Sequence, residues 1–532
     1  MSKILVAEKI ADTGMEVLKE NADIDVKIGL THEQLLEVIG DYDALIVRSA
    51  TKVNKELLEH GRNLKVVGRA GNGVDNIDLD TATKMGIIVV NTPESNNVST
   101  AEHAIALLLS VCRNIPQAYH STLHGKWQRS HYKGVELFGK TIAILGLGRI
   151  GSIVADRLKA FGMKVIAYDP YISDERVAKL GIEKVNTIEE VMKRSDFITI
   201  HLPKSEETIG IIGEKELSMA KKHLRIVNCA RGGLVDEKAL CKALEEGRIA
   251  GAALDVFVNE PKEGSKGSTF ESPLLKFENV VVTPHLGAST IEAQNNVGIA
   301  IANQVLAALE GNIVDAVNLP SLNIKDTDHI SPYIKLAETL GRLYYSAEKG
   351  AIDNVEISYS GDISKEQTKL LTLSFLKGLL EPVIKERVNF VNVELLVRNR
   401  GIKVVESIKN QVEYYSNLIS AKISSKGKEI TFAGTIFGKE EPRIVDFAGY
   451  EIDLAPTEYM LAIEHINQPG VIGQIGTILG KYNVNIETMR VSKNRKGENS
   501  IMILSIDQVI NKETIDKIEQ VAGVLTTKLI KL

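Results

Sequence analysis

The six residues Gly146–Gly151 constrain the fold of this chain more than any other feature. They form the pattern G-x-G-x-x-G between an apolar segment, KTIAIL, that predicts a strand, and a segment with helical spacing, IGSIVADRLKAFG. A second apolar segment, KVIAYD, ends in Asp169, which lies 18 residues after Gly151. In such a unit the first glycine permits a tight turn, the second lets a pyrophosphate approach the backbone, and the third lets helix and strand pack closely. The pattern predicts a β-α-β unit that binds a dinucleotide.

Asp169 indicates which dinucleotide this unit binds. A carboxylate at this position accepts hydrogen bonds from the adenosine ribose hydroxyls and repels a 2′-phosphate. The amino end of the helix after the glycines offers free N–H groups and a partial positive charge to the pyrophosphate. We therefore expect NAD, rather than NADP, as the cofactor.

Strand-like and helix-like segments alternate over the first three-fifths of the chain. Five such units fit before about Thr92, and a long apolar helix follows at about Ser99–Arg113. Six more strand-like segments run from KTIAILG to NVVVTP, and a helix at about Thr290–Glu310 closes the block. Alternation of this kind predicts parallel sheets covered by helices on both faces. The sequence thus predicts an α/β protein with two doubly wound parallel-sheet (Rossmann-like) domains, the first of them discontinuous.

The remainder of the chain has a different character. The polar segment Asn318–Pro332 predicts a linker, and helices at Ile334–Ala347 and Ser364–Leu380 mix with strands at VEISYSG, NVELLVRN and EITFAGTIF. This predicts an α+β intervening domain, and the last stretch has the β-α-β-β-α-β order of a ferredoxin-like domain. The expected boundaries are 1–97 with 288–317, 98–287, 318–454 and 455–532.

Composition excludes several classes of protein. The 532 residues carry a formal charge of −5, which argues against a nucleic-acid binder that relies on a large basic surface. Three cysteines cannot form a disulfide framework, and no Cys/His cluster suggests a metal site. The opening MSKILVAEKI does not resemble a signal peptide, and no apolar run approaches the length of a membrane span. We expect a cytoplasmic protein without bound metal, nucleic acid or membrane.

Four polar residues follow successive strands of the second predicted sheet. Arg231 follows LRIVN, Asp255 and Glu260 follow the next strand, and His285 follows VVVTP. The carboxyl ends of parallel strands form the usual ligand crevice of such sheets. A histidine can take the proton of a hydroxyl group, a carboxylate can orient it, and an arginine can bind a substrate carboxylate with two parallel donors. The set predicts hydride transfer between a nicotinamide and a 2-hydroxy acid.

Several segments carry a family resemblance. ILGLGRIG, NCARGGLVDEKAL, GAALDVF, NEP and TPHLGAST resemble the D-isomer-specific 2-hydroxyacid dehydrogenases. VGRAGNGVDNID and NTPESNNVSTAEH narrow the resemblance to the D-3-phosphoglycerate dehydrogenases, and the C-terminal additions resemble their long form, with an intervening allosteric domain and a terminal ACT domain. This resemblance implies NAD-dependent oxidation of 3-phosphoglycerate, the first step of phosphorylated serine biosynthesis, in a homo-oligomer, a dimer or a tetramer, that L-serine regulates.

The resemblance also implies roles for individual residues. Arg231 would bind substrate, Glu260 would pair with His285, and His285 would be the acid/base. The implied cofactor contacts are Asn72, Gly146, Gly148, Arg149, Ile150, Gly151, Asp169, Leu202, Cys229, Ala230, Arg231, Asp255, His285, Gly287 and Ala288. Among these, Asp255 would lie near the nicotinamide carboxamide, and Cys229 would be a wall of the pocket rather than a nucleophile.

The substrate phosphate and the effector need further residues. Arg48 and Arg69 follow apolar strands of the first domain and should face the cleft, where Asn96 could also hold the substrate. Arg129 is a weaker candidate that could reach the site of a neighbouring subunit. In the terminal segment His465, Asn467 and Asn485 stand where ACT domains of this family bind serine.

Two other readings stay open at the level of sequence. One is a reductase of glyoxylate or hydroxypyruvate, which would lack an ACT domain and the need for paired phosphate-binding arginines. The other is a dinucleotide-sensing scaffold like the corepressors that share this fold, which usually carry disordered tails.

Overall fold

The structure is a computed structural model that describes residues 1–261, 269–319, 328–348, 350–366, 368–409, 414–494 and 499–532. The chain divides into two compact units, Met1–Ile77 with Val90–Glu310 and Asp78–Val89 with Gly311–Leu532. Within the described ranges, every helix is too short or too polar to cross a membrane.

The amino-terminal sheet has five strands in the order β2-β1-β3-β4-β5, with parallel pairing of β1 to β2 and β3. Its elements are β1 (Lys3–Val6), α1 (Asp12–Asn21), β2 (Asp23–Val26), α2 (His32–Val38), β3 (Ala44–Val47), α3 (Lys55–His60), β4 (Val66–Arg69), α4 (Leu79–Lys84) and β5 (Ile88–Asn91). All four residues of β3 are buried. Such continuous apolar strands are typical of a parallel sheet that is covered on both faces.

The second sheet has seven parallel strands in the order β12-β11-β10-β9-β6-β7-β8. Its strands are β6 (Thr141–Leu145), β7 (Lys164–Tyr168), β8 (Glu183–Lys184), β9 (Phe197–Ile200), β10 (Arg225–Asn228), β11 (Gly251–Leu254) and β12 (Val280–Val282). The strand order reverses between β6 and β9, and a reversal of this kind opens a ligand crevice at the carboxyl ends of the strands.

Eight helices lie between residues 97 and 309 in the described part of the chain, and not all of them cover this second sheet. They are α5 (Asn97–Arg113), α6 (Ile115–Leu123), α7 (Arg149–Ala160), α8 (Asp174–Lys179), α9 (Ile188–Arg194), α10 (Glu214–Ser218), α11 (Glu237–Glu245) and α12 (Ile291–Leu309). Helix α5 packs on β10, β11 and β12, whereas α12 packs on α1 and β4 of the amino-terminal sheet. A Cβ on Gly14 of α1 would lie 2.4 Å from the backbone of Gly298, so these two glycines allow α1 and α12 to approach closely.

The main part of the other compact unit begins with a six-stranded sheet and three α-helices, two of which pack closely against each other. Its elements are α13 (Ser331–Ala347), β13 (Asn354–Gly361), α14 (Thr368–Leu380), α15 (Val393–Asn399), β14 (Lys403–Lys409), β15 (Asn417–Ser425), β16 (Lys428–Phe437), β17 (Glu441–Phe447) and β18 (Tyr450–Leu454). The strand order is β14-β13-β15-β16-β17-β18, with only β13 and β14 parallel among these neighbours. Gly341 and Gly378 bring α13 and α14 together, since a Cβ on either would lie about 2 Å from a carbonyl oxygen of the opposite helix.

One predicted element of this region is wrong. The segment NVELLVRN was expected to be a strand, but Val393–Asn399 forms α15. Val393 and Val397 are its buried residues, and a spacing of four residues places side chains on one face of a helix. The β-branched valines favour a strand locally, and burial of this helical face overrides that preference.

The last domain is an antiparallel sheet under two helices. Its elements are β19 (Tyr459–Ile466), α16 (Val471–Lys481), β20 (Ile486–Lys493), β21 (Asn499–Ile506), α17 (Lys512–Glu519) and β22 (Val524–Lys531), with strand order β20-β21-β19-β22. Leu461 and Ile463 pack with the helices, whereas Met460 and Ala462 join the core built by α13 and α14. Both faces of this sheet are therefore covered, and the fold class predicted from the sequence is confirmed.

Candidate active site

The glycine turn between β6 and α7 has the geometry that the motif predicts. Gly146 has φ +91°, which favours glycine, and a Cβ there would lie 2.7 Å from the carbonyl oxygen of His201. A Cβ on Gly151 would lie 2.1 Å from the carbonyl oxygen of Gly146, whereas the space beside Gly148 is open. The residue at the N-cap of α7 is Gly148, which has no side chain that could cap the first turn. The residues present therefore fit a pyrophosphate, because open backbone and uncapped N–H groups meet at one helix end.

Asp169 lies beside this turn, just beyond the end of β7. Its Oδ2 accepts a hydrogen bond from the Leu147 amide at 2.9 Å, and its Oδ1 accepts one from the Tyr171 amide at 3.0 Å. Two backbone donors thus fix the carboxylate next to the expected position of the pyrophosphate. This arrangement fits the adenosine end of NAD.

Other predicted cofactor contacts surround the same crevice. A Cβ on Gly146 would lie 3.0 Å from Cδ2 of Leu202, which places Leu202 against the turn. Cys229 is 5% exposed, and burial together with the charge of Asp255 raises the pKa of its thiol. A protonated, buried thiol agrees with a wall of the pocket and not with a nucleophile.

The turn after β10 depends on a residue that the sequence analysis missed. The buried Asn228 accepts a hydrogen bond from the Ala230 amide and donates one to the Arg231 carbonyl, each at 3.0 Å. Its side chain therefore fixes the segment that carries Cys229, Ala230 and Arg231. Its position at the strand end directly before three candidate residues was the available signal.

His285 and Glu260 form the closest pair of titratable groups in the crevice. Nδ1 of His285 lies 2.8 Å from Oε2 of Glu260, whose Oε1 accepts a hydrogen bond from the Phe257 amide. The hydrogen bond to Glu260 raises the pKa of His285. Burial opposes ionisation of Glu260, but the hydrogen bonds from His285 and Phe257 outweigh it and lower the pKa of Glu260. The pair is suited to accept a proton at the other ring nitrogen, Nε2, and to stabilise the resulting imidazolium.

Asp255 organises the loop that carries His285. The residue is 0% exposed; its Oδ1 accepts a hydrogen bond from the Leu286 amide at 2.8 Å, and its Oδ2 accepts one from the Gly287 amide at 2.9 Å. Oδ1 also accepts from the Thr283 hydroxyl at 2.6 Å and lies 3.1 Å from Nε2 of His103. Burial raises the pKa of Asp255, but these hydrogen bonds outweigh it, so the pKa is lowered. The sequence indicated that Asp255 contacts the cofactor, but it did not reveal that Asp255 holds the backbone of the loop that carries His285.

Arg231 reaches from the second sheet to the loop after β4. Its Nη1 donates to the Ala230 carbonyl at 2.7 Å, and its Nε donates to Asp75 at 3.3 Å. A Cβ on Gly73 would lie 2.0 Å from Nη2, so glycine at this position makes room for the guanidinium. Asp75 and Gly73 were not singled out in the sequence, although both lie in the segment GRAGNGVD.

Arg69 is a half-buried cation whose charge is incompletely satisfied by the described part of the protein. Burial, followed by the positive charges of Arg231 and Arg48, lowers the pKa of Arg69 to about 10. Within the described ranges its Nε is buried without a hydrogen-bond partner, and its Nη1 donates a long hydrogen bond of 3.4 Å to the Ala70 carbonyl. Gly71, at φ +139°, leaves space for this guanidinium. Arg69 thus lies within electrostatic range of both Arg231 and Arg48, and such a group of arginines fits an anion with more than one negative charge.

The remaining candidates near the crevice differ in their surroundings. Asn96, at the start of α5, has a buried Oδ1 without a hydrogen-bond partner, which fits a ligand contact. The side chain of Arg149 is exposed, and its Nε lies 3.7 Å from Oε1 of Glu94. The backbone carbonyl of Asn72 accepts a hydrogen bond from the side-chain amide of Asn91. Arg129 lies in an exposed turn near Trp127 rather than with the other arginines. Ile150 packs on the core, and the carbonyls of Gly287 and Ala288 accept side-chain hydrogen bonds.

The three candidate effector residues do not come together within one chain. His465 lies at the carboxyl end of β19, is 2% exposed, and has a buried Nε2 without a hydrogen-bond partner. Asn467 follows it and is exposed, whereas the exposed Asn485 precedes β20. His465 aligns across the sheet with Ser500 and Lys493, and Ile486 aligns with Ile506 at the other end. Asn485 is therefore about seven residues along the strand direction from His465, or roughly 20–25 Å at about 3.3 Å per residue of strand.

Comparisons with known proteins identify three regions of the chain. A family model of the D-isomer specific 2-hydroxyacid dehydrogenase NAD binding domain matches residues 105–287. A model of the D-3-phosphoglycerate dehydrogenase intervening domain matches residues 329–448, and an ACT domain model matches residues 459–523.

Full-length relatives agree with these matches. The chain is 44% identical over 533 residues to D-3-phosphoglycerate dehydrogenase of Methanocaldococcus jannaschii and 41% identical over 533 residues to that of Bacillus subtilis, and in both cases the alignment covers 100% of both chains. Among solved structures it resembles a glyoxylate reductase from Paecilomyes thermophila, with 32% identity, a TM-score of 0.55 and coverage of 59% of this chain and 98% of the other. It also resembles D-lactate dehydrogenase from Aquifex aeolicus complexed with NAD and lactic acid, with 28% identity, a TM-score of 0.53 and coverage of 60% and 100%. The chain therefore belongs to the D-3-phosphoglycerate dehydrogenase family, in its long form with an ACT domain, and is an NAD-dependent oxidoreductase.

Proposed function

We propose that this enzyme oxidises 3-phospho-D-glycerate to 3-phosphooxypyruvate with NAD, the first step of phosphorylated L-serine biosynthesis. NAD, when bound, supplies the nicotinamide that accepts the hydride from C2 of the substrate. His285 takes the proton of the C2 hydroxyl on Nε2, while Glu260 holds the ring through Nδ1 and stabilises its charged form. The 2.8 Å contact between His285 and Glu260 is the observation that carries this assignment.

The arginines of the crevice indicate that the substrate carries both a carboxylate and a phosphate. Arg231 is anchored by the Ala230 carbonyl and contacts Asp75. Its charge opposes, without cancelling, the rise that Glu260 causes in the pKa of His285, which agrees with a position near the reacting end. We assign the substrate carboxylate to Arg231 and the phosphate to Arg69 and Arg48, with Asn96 as a further contact. The buried Nε of Arg69, which lacks a hydrogen-bond partner among the described residues, supports this division because an oxyanion would satisfy it. A glyoxylate or hydroxypyruvate reductase would have no use for this second cationic group.

Regulation by L-serine is the second part of the proposal. His465 and Asn467 lie at one end of the ACT sheet and Asn485 at the other, so a site that uses all three needs two copies of the domain placed side by side. We propose that paired ACT domains of a homo-oligomer, a tetramer formed as a dimer of dimers, bind serine between them. Arg129, which lies apart from the other arginines in its own chain, would contact the substrate of a neighbouring subunit in that assembly. The reaction is assigned to the cytoplasm.

The catalytic assignment is tested by His285→Asn. We expect turnover of 3-phosphoglycerate to fall by about 10²–10⁴-fold, the usual contribution of a general acid/base group. NADH binding, followed by fluorescence, should persist because the glycine turn and Asp169 are unchanged. His60→Asn, at an exposed position of α3, is the matched control and should behave as the wild type. His285→Asn with more than half of the wild-type kcat would remove His285 from the mechanism.

A further inference from the structure

Helix α5 presents three polar side chains to the loop that carries His285. The hydroxyls of Ser99 and Thr100 donate to the Gly287 carbonyl at 2.8 and 3.2 Å. One turn further along the helix, Nε2 of His103 lies 3.1 Å from Oδ1 of Asp255 and 3.1 Å from Oγ1 of Thr283. The side chain of His103 is 19% exposed, and that of Asp255 is 0% exposed. His103 belongs to no role assigned above.

The contacts determine which nitrogen of His103 carries a proton. An ionised Asp255 can only accept hydrogen bonds, and the Thr283 hydroxyl already donates its single proton to Oδ1. Nε2 of His103 must therefore be the donor, and it points its proton at Oδ1 with Oγ1 of Thr283 as a second acceptor. His103 and Thr283 together saturate one side of Oδ1, which leaves the carboxylate oriented toward the Leu286 and Gly287 amides.

The loop needs this support because His285 has an unusual backbone. Its φ is +56°, a left-handed conformation that non-glycine residues rarely adopt and that persists only where surrounding contacts determine it. The His285 amide donates to the Asp255 carbonyl at 2.9 Å, and the next two amides donate to the Asp255 carboxylate. Three consecutive amides thus depend on one buried residue, whose carboxylate depends on His103.

We propose that His103 is a positioning residue for catalysis: by donating from Nε2 to Asp255 it holds the His285–Gly287 loop in the conformation that places His285 against Glu260. The proposal rests on the assignment of His285 as the base. A loosened loop would lengthen the His285–Glu260 contact and misalign Nε2 with the substrate hydroxyl, and small misplacements of this kind are costly to rate.

The test compares His103→Leu with His103→Gln in the full-length enzyme. Leucine has no donor, whereas the Nε2 of glutamine is as many bonds from Cβ as the Nε2 of histidine and can donate to Asp255. We expect His103→Leu to lower kcat by about 10- to 100-fold, as for other outer residues that orient a catalytic group, and to weaken NADH binding far less. His103→Gln should recover most of the loss. If NADH affinity falls as much as kcat, or if His103→Leu keeps the wild-type kcat, the proposal is wrong.

Two further measurements keep the test decisive. Should His103→Leu fail to fold, Thr283→Val removes the other side-chain donor to Oδ1 and is expected to lower kcat in the same way; wild-type kcat in Thr283→Val would refute the proposal. Crystal structures of the variants supply a readout that needs no substrate: we expect the His285–Glu260 hydrogen bond to be lost in His103→Leu and kept in His103→Gln. An intact hydrogen bond in His103→Leu would refute the positioning role. If the wild type itself does not oxidise phosphoglycerate, the proposed function fails, while this structural comparison still decides the role of His103.

Discussion

Nδ1 of His285 lies 2.8 Å from Oε2 of Glu260, and the two groups shift each other's pKa in opposite directions: that of His285 is raised and that of Glu260 is lowered. The pair is an ion pair only when His285 is protonated, and oxidation of a hydroxyl group needs His285 unprotonated. The free enzyme should therefore gain activity as the pH rises through the raised pKa of His285.

Glu260→Gln should move this acidic limb. The amide cannot stabilise the imidazolium electrostatically, so the pKa of His285 should fall and the acidic limb of kcat/KM for oxidation should shift to lower pH. Turnover at the plateau should also decrease, because the ring is less well oriented. The measurement is a pH profile of kcat/KM, which reports the free enzyme, and Glu278→Gln, an exposed position, is the control. An acidic limb that does not move would mean that another group titrates there.

The same pair has a consequence for stability. The raised pKa of His285 contributes stability below the pKa of an unfolded histidine, and this contribution is lost as the pH rises through the folded pKa. The lowered pKa of Glu260 contributes stability above the pKa of an unfolded glutamate and loses it as the pH falls through the folded pKa. Relative to the wild type, Glu260→Gln should thus lose most Tm between the pKa of an unfolded glutamate and that of an unfolded histidine. The loss should be smaller both above the folded pKa of His285 and below the folded pKa of Glu260. A Tm difference that is independent of pH would contradict this coupling.

Arg69 should show opposite effects on stability and on substrate binding. Removing a half-buried, poorly satisfied charge near two other guanidinium groups should raise the Tm of Arg69→Met without substrate. The KM for 3-phosphoglycerate should rise by about 10- to 100-fold, as expected from the loss of a charge-assisted hydrogen bond worth roughly 1.5–3 kcal/mol. KM for an unphosphorylated 2-hydroxy acid should change less. Equal increases in KM for both substrates would mean that Arg69 binds the substrate carboxylate or only supports the fold.

Asp169→Ala should change the cofactor preference. The loss of the carboxylate removes the ribose contact and the repulsion of a 2′-phosphate, so the ratio of kcat/KM for NAD over NADP should fall. Asp156→Ala, on the exposed side of α7, is the control. An unchanged ratio in Asp169→Ala would show that the carboxylate supports only the Leu147 and Tyr171 amides.

Asn485→Ala should weaken inhibition by L-serine without changing KM in its absence. The residue is exposed, so the fold should tolerate the change. Deletion of the whole ACT domain is a poorer test, because Met460, Ile501 and Ile530 belong to the core shared with α13 and α14, and truncation would expose that core. Glu487→Gln, an exposed neighbour on β20, is the control. Wild-type inhibition by serine in Asn485→Ala would exclude Asn485 from the effector site.

The sequence predicted the parts of this structure that depend on local patterns. The turn Gly146–Gly151, the strands of both parallel sheets and the ferredoxin-like order of the last domain follow from glycine placement and apolar spacing. The sequence did not predict helix α15, because its valines favour a strand and only tertiary burial reverses that preference. The roles of His103 and Asn228 depend on contacts with residues beyond their own elements, which spacing does not reveal. The separation of His465 from Asn485 follows from the parallel direction of β19 and β20, which are both antiparallel to β21, because the end of one strand and the start of the other then lie at opposite ends of the sheet.

The assignment of this site to phosphoglycerate is tested most directly by comparing 3-phospho-D-glycerate with D-glycerate as substrates of the wild-type enzyme. The two substrates share the reacting carbon and the carboxylate and differ only in the phosphate that we assign to Arg69 and Arg48. Initial rates of NADH formation give kcat/KM for each at saturating NAD. We predict that the phosphorylated substrate is favoured by at least about 100-fold, the combined contribution of two charge-assisted contacts at the lower end of their usual range. Equal kcat/KM values, or a preference for D-glycerate, would contradict the assignment of this site to phosphoglycerate.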